Sequence, residues 1–155
     1  MPEEEWAGAS VQRRTKLRPR ILVVDDDSDL RRLYAEALWR PGYHVDAAED
    51  GAAGWAALRA NNYNLLITEH SLPRLTGIEL VRKLRAARMA LPVVMAAVRL
   101  PVRDLALDPS LQLAAMLPKP FYISQLLETV KAILHPTNTP PSTSLRGQTG
   151  AAGWM

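Results

Sequence analysis

Two hydrophobic periods alternate along residues 20–134. Ile21-Leu22-Val23-Val24 is an unbroken apolar run, the pattern of a strand covered on both faces. Asp25-Asp26-Asp27-Ser28 follow it, and then Leu30, Leu33, Tyr34, Ala37 and Leu38 recur at helical spacing until Pro41-Gly42 stops the helix. The same succession of short run and amphipathic segment continues down the chain. Tyr43–Ala47 predicts a second strand, and Glu49-Asp50-Gly51 turns into a helix carrying Trp55 and Leu58 that ends at Asn61-Asn62. Leu65–Thr68 predicts a third strand, His70–Thr76 a loop, and Gly77–Ala87 a helix with Ile78, Val81 and Leu84 inward. Pro92–Ala97 and Leu113–Leu117 predict the fourth and fifth strands, and a last helix carries Ile123, Leu126, Leu127, Val130 and Ile133. Between those two strands Pro101 and Pro109 bracket Val102–Asp108, leaving room for about two helical turns. Leu100, Val102 and Leu105 read as core residues of that short helix, the commoner case, with a partner patch as the alternative. Strands alternating with helices imply an α/β fold with a parallel sheet covered on both faces. Functional groups in such folds gather beyond the carboxyl ends of the strands.

Composition narrows the classes. With 155 residues and 48% hydrophobic content, the chain is long enough for one domain with a real core. It has no cysteine, which excludes a disulfide framework, a thiolate metal site and a cysteine nucleophile. No apolar run approaches the ~20 residues that span a bilayer, and Glu3, Glu4 and Glu5 stand where a secretory signal would carry positive charge, so a cytoplasmic protein is expected. The net charge of +3 invites a nucleic-acid reading, yet residues 21–134 hold 13 basic and 13 acidic side chains. The excess sits in a leader over residues 1–19, extended by Arg20, and in a polar tail over residues 135–155, both of which read as disordered. No nucleic-acid-binding face is expected in residues 20–134, and no recognition-helix module follows them.

The chemistry-bearing residues fall at the strand ends. Strand one ends in Asp25, Asp26 and Asp27, strand three in Glu69, strand four in Ala97, and strand five in Lys119-Pro120. Three or four carboxylates and one ammonium therefore converge on a shallow pocket. Carboxylates that close repel unless a cation sits among them, and Mg²⁺, bound through a few carboxylates and waters, suits such a set. Lys119 is a mobile point charge able to hold a phosphoryl or carboxylate oxygen, and a cis Lys119–Pro120 bond would aim it inward. Part of the acidic run can also be explained as a helix cap, for which Asp27 and Ser28 are suited. A cap needs one residue, and three are present.

ILVVDDD, YNLLITEHSLPRLTGIEL, LPVVMAA and LPKPF resemble, in order and spacing, the receiver domain of two-component response regulators, over about residues 20–134. The resemblance implies a flavodoxin-like, doubly wound five-stranded parallel sheet of order 2-1-3-4-5, here with a degenerate fourth helix. It implies Mg²⁺ held by an acidic pair, matched by Asp25 and Asp26, by the phosphoacceptor position, occupied by Glu69, and by a backbone carbonyl at Ser71. Lys119 matches the lysine that holds phosphoryl oxygens, and Pro73 and Gly77 match the loop into the third helix. The implied partner is a histidine kinase or another signalling protein, and the family often pairs copies through the face of the fourth and fifth helices.

Three positions depart from that pattern: Glu69 replaces the acceptor aspartate, Ala97 the strand-four hydroxyl residue, and Met116 the aromatic switch residue. Glutamate carries its carboxylate roughly one bond length further, and misplacement near 1 Å can cost phosphoryl transfer ~100-fold. That carboxylate can instead reach toward Lys119, partly imitating the charge of an acyl phosphate. Ala97 removes a ligand for a phosphoryl oxygen, and Met116 has no ring to gate. The leading expectation is a stand-alone receiver-type module, not an enzyme, acting by protein–protein contact with phosphotransfer weakened or lost. The alternative is a working receiver that accepts phosphate on Glu69 or a neighbouring carboxylate. A haloacid-dehalogenase-like phosphatase, suggested by Asp25-x-Asp27, ranks below both because Asp29 stands where a hydroxyl or aliphatic residue belongs and no cap domain is available.

Overall fold

A computed structural model describes residues 18–137. Most of the expected leader and tail therefore lies outside the described residues. Five strands, β1 (Arg20–Val24), β2 (His44–Ala48), β3 (Leu65–Thr68), β4 (Val93–Ala97) and β5 (Ala115–Pro118), form one parallel sheet in the order β2-β1-β3-β4-β5. The helices between them are α1 (Ser28–Trp39), α2 (Gly51–Ala60), α3 (Gly77–Ala86), α4 (Val102–Leu107) and α5 (Ile123–Leu134). This is the doubly wound α/β arrangement expected from the alternating pattern.

The two-residue period of the strands divides the core in two. Ile21, Val23, Leu65, Ile67, Val94 and Ala96 point to the side of α1 and α5, where Tyr34, Leu38, Leu126 and Val130 cover them. Leu22, Val24, Leu66, Val93 and Met95 point the other way, under Leu58 of α2 and Ile78, Val81 and Leu84 of α3. Side chains of β3 and β4 are buried along their whole length and those of β1 from Ile21 onward, which is why these strands read as unbroken apolar runs. Helix starts follow capping chemistry: the Asp27 carboxylate accepts from the Asp29 and Leu30 N–H groups, Asp50 from Ala53 N–H, and Thr76 from Glu79 N–H.

Boundaries move where a turn residue or proline acts. Gly42 turns the chain at φ +108°, so Tyr43 is buried before the strand begins and β2 runs His44–Ala48 rather than Tyr43–Ala47. Pro92 has no N–H to give the ladder, and β4 starts one residue later than expected, at Val93. Gln112 at φ +48° delays β5 to Ala115–Pro118, against the predicted Leu113–Leu117. The expected core role of the fourth helix does not hold. No residue of α4 is buried, Val102 is 62% exposed, and only Leu105 packs partly against the core. A 3₁₀ turn at Pro109–Leu111, absent from the expected pattern, supplies the buried anchor instead through Leu111. Leu33, read as part of the inner stripe of α1, is 46% exposed.

Arg85, near the end of α3, fastens this irregular region. Its Nε donates to Leu111 O at 2.9 Å, one terminal nitrogen donates to Met89 O and Leu91 O at 2.9 Å each, and the other donates to Gln112 O at 3.2 Å. Arg85→Met removes these charge-assisted donors while keeping an apolar stem. It is expected to lower unfolding free energy by about 2 kcal/mol, measured in urea, through partly buried carbonyls left unpaired.

Candidate functional site

Each of the three acidic residues after β1 has its own job. Asp25 is 2% exposed because its N–H continues the ladder, donating to Ala48 O at 3.2 Å, which holds its side chain under the sheet end. Its Oδ1 accepts from Asp27 N–H at 2.9 Å, and Arg31 donates to its backbone carbonyl at 2.7 Å. Asp26 is exposed, and Asp27 caps α1. The capping reading therefore accounts for Asp27 and leaves Asp25 and Asp26 without it.

Glu69 follows β3 and is 8% exposed, its N–H donating to Val24 O at 2.9 Å. Oε2 accepts from His70 N–H at 2.6 Å and Ser71 N–H at 3.2 Å, so the loop backbone folds around the carboxylate. That turn depends on Gly77. Its N–H donates to His70 O at 2.8 Å, and a Cβ there would stand 2.5 Å from Glu69 O and 2.8 Å from His70 Cα.

Lys119 joins the two carboxylates. Its N–H donates to Ala97 O at 2.9 Å, its bond to Pro120 is cis, and its Nζ donates to Asp25 Oδ2 and Glu69 Oε1, each at 2.8 Å. The lysine side chain is only 11% exposed. Burial by itself would lower its pKa, but the hydrogen bonds and charges of Asp25 and Glu69 outweigh that and push it up to about 12. The ammonium stays protonated throughout the physiological range.

The remaining expected residues are placed as follows. Ala97 is fully buried at the end of β4 and offers no side-chain donor, while Met116 on β5 is 42% exposed. Ser71 contributes its N–H to Glu69. Tyr34, whose spacing in α1 marks it as core, also borders the site beside Lys119. It stacks on Phe121 with ring centroids 5.8 Å apart, and burial, with the neighbouring carboxylates, raises its phenol above the ordinary value while Lys119 pulls the other way. Beside Lys119 these rings line an apolar hollow of about 330 Å³ together with Leu30, Leu33, Val98 and Ile123.

The donor set can be tested against Mg²⁺. Both buried carboxylates give one oxygen to Lys119 and the other to backbone N–H groups. Among the described residues no three His, Cys, Asp or Glu side chains gather as a metal-holding group. In this arrangement Asp25, Asp26 and Glu69 do not fit the ion.

Residues 21–131 match the family of response regulator receiver domains. The chain belongs to that family. It is 34% identical over 120 residues to the response regulator receiver protein CpdR of Brucella abortus, an overlap of 74% of this chain and 96% of CpdR. It is 33% identical over 119 residues to the response regulator MprA of a Mycobacterium strain, covering 77% of this chain and 52% of MprA, so it spans about half the length of that relative. Among solved structures, the response regulator TrrA of Thermotoga maritima, in complex with Mg²⁺ and BeF, superposes with a TM-score of 0.66 at 28% identity over 74% of this chain and 98% of TrrA. The site thus lies in a receiver domain of the two-component signalling class.

Proposed function

We propose that this receiver is an atypical one, which signals by protein–protein contact in the cytoplasm with phosphotransfer weakened or lost. The 2.8 Å contact between Glu69 Oε1 and Lys119 Nζ carries the reading. The side chain at the acceptor position already occupies the ammonium that would hold an incoming phosphoryl oxygen, and its other oxygen is held by two backbone N–H groups. Attack on a phosphodonor requires that carboxylate to leave three donors and reorient, whereas phosphoryl transfer depends almost wholly on positioning and charge neutralisation. Ala97 offers no hydroxyl to help. In the proposed resting form Glu69 supplies to Lys119 the negative charge that an acyl phosphate would supply, so the β3–α3 loop is tied to β5 without modification.

The proposed partner is a histidine kinase or another signalling protein. The proposed pairing surface between copies of this chain is the α4–α5 side, where Val102, Leu107 and Met116 are exposed at 62%, 78% and 42%. No helix among the described residues is long and apolar enough to cross a membrane.

Intact mass after incubation with Mg²⁺ and a small phosphodonor tests the reading, with Glu69→Asp measured beside the unaltered protein. A phosphoryl increment on the variant alone supports it. An increment of equal rate on the unaltered protein overturns it in favour of a working receiver using Glu69 or Asp26.

A further inference from the structure

We infer that the Lys119 ammonium is the resident cation of this pocket and keeps divalent ions out of it. The inference rests on the placement of charges and on the same Glu69–Lys119 contact as the proposed function. Asp25 and Glu69 are the two buried carboxylates at the strand ends, and the ammonium bridges them at 2.8 Å on each side. Their other oxygens are satisfied by the N–H groups of Asp27, His70 and Ser71. A Mg²⁺ ion needs oxygens at about 2.0–2.1 Å in near-octahedral geometry. To reach Asp25 and Glu69 together it must displace Lys119, or stand a few ångströms from a second positive charge in a poorly hydrated place, where repulsion is strong.

The extra methylene of Glu69 is what makes the bridge self-contained. It carries the carboxylate out to Lys119 while the loop N–H groups hold its other oxygen. Asp26 remains as an exposed carboxylate, and one exposed carboxylate attracts a divalent ion weakly. The pocket therefore reaches its charge balance within the chain.

Titration of the 155-residue chain with Mn²⁺, read as selective broadening of amide signals in the β1–α1 and β3–α3 loops, tests this. The unaltered protein is compared with Lys119→Met, which removes the ammonium, and Glu69→Asp, which shortens the bridge. The expected result is Mn²⁺ affinity about tenfold or more higher in both variants than in the unaltered protein. Should Lys119→Met fail to fold, Glu69→Asp carries the comparison alone. Affinity in the unaltered protein equal to that of the variants overturns the inference, and so does failure of either folded variant to gain affinity. The readout is cation occupancy and not phosphorylation, so failure here and failure of the phosphotransfer reading are distinguishable.

Discussion

Lys119→Met is expected to cost about 3–5 kcal/mol of folding stability at neutral pH, because it leaves two buried carboxylates without their shared counter-charge. Asp25 is 2% and Glu69 8% exposed, so water cannot replace the ammonium without opening the strand ends. Methionine keeps most of the apolar stem bordering the hollow that Tyr34 and Phe121 also line, so the loss reports charge more than packing. The effect also has a pH signature. Lys119 is raised from its ordinary 10.5 to about 12 by its two partners, against the effect of burial. A group raised on folding contributes stability that is fully present below its unfolded pKa and lost as pH rises through the folded one. The stability difference between the unaltered protein and Lys119→Met is therefore expected to be level up to about pH 10 and to shrink between about pH 10.5 and 12. Urea unfolding of the pair across that range measures it. A difference that stayed level to pH 12 would mean the lysine is not held by these carboxylates.

Phosphorylation of Glu69→Asp is expected to be about 100-fold faster than that of the unaltered protein with the same small phosphodonor. The variant withdraws the carboxylate by roughly one bond length and frees Lys119 to meet a phosphoryl oxygen. It remains short of a strand-four hydroxyl, since Ala97 is fully buried and carries none. Adding Ala97→Ser to Glu69→Asp supplies that hydroxyl beside the Lys119 N–H and is expected to raise the rate further, by about tenfold. Rates taken from the time course of the intact-mass increment separate the two contributions. Equal rates for all three proteins would place the acceptor elsewhere, with Asp26 the first residue to replace.

The order of elements was legible because each buried strand leaves an apolar run and each covering helix a stripe. Ile21–Val24 and Leu65–Thr68 could hardly be read otherwise. The convergence of Asp25, Glu69 and Lys119 followed from parallel topology alone, which sends every strand's carboxyl end to one edge. What the pattern could not divide was the acidic triplet: Asp25, Asp26 and Asp27 look alike in sequence, and only backbone direction separates the buried partner of Lys119 from the exposed neighbour and the helix cap. The Arg85 fastening was invisible because its four acceptors are backbone carbonyls, which carry no residue signature. The region from Val102 to Leu111 misled for a related reason. Its apolar residues are spaced for a helix, yet two prolines and a left-handed Gln112 shift the buried anchor to Leu111 and leave Val102 in solvent.

A double-mutant cycle between Glu69→Gln and Lys119→Met, followed by urea unfolding at neutral pH, tests the pairing most directly. Glutamine retains the length of the side chain and a hydrogen-bonding oxygen but gives up the charge. If Glu69 and Lys119 form the ion pair that occupies the acceptor position, the two substitutions are strongly non-additive, with a coupling of about 1–3 kcal/mol. Additivity within about 0.5 kcal/mol would show that the carboxylate and the ammonium do not depend on one another, and the account of a self-occupied pocket would be wrong.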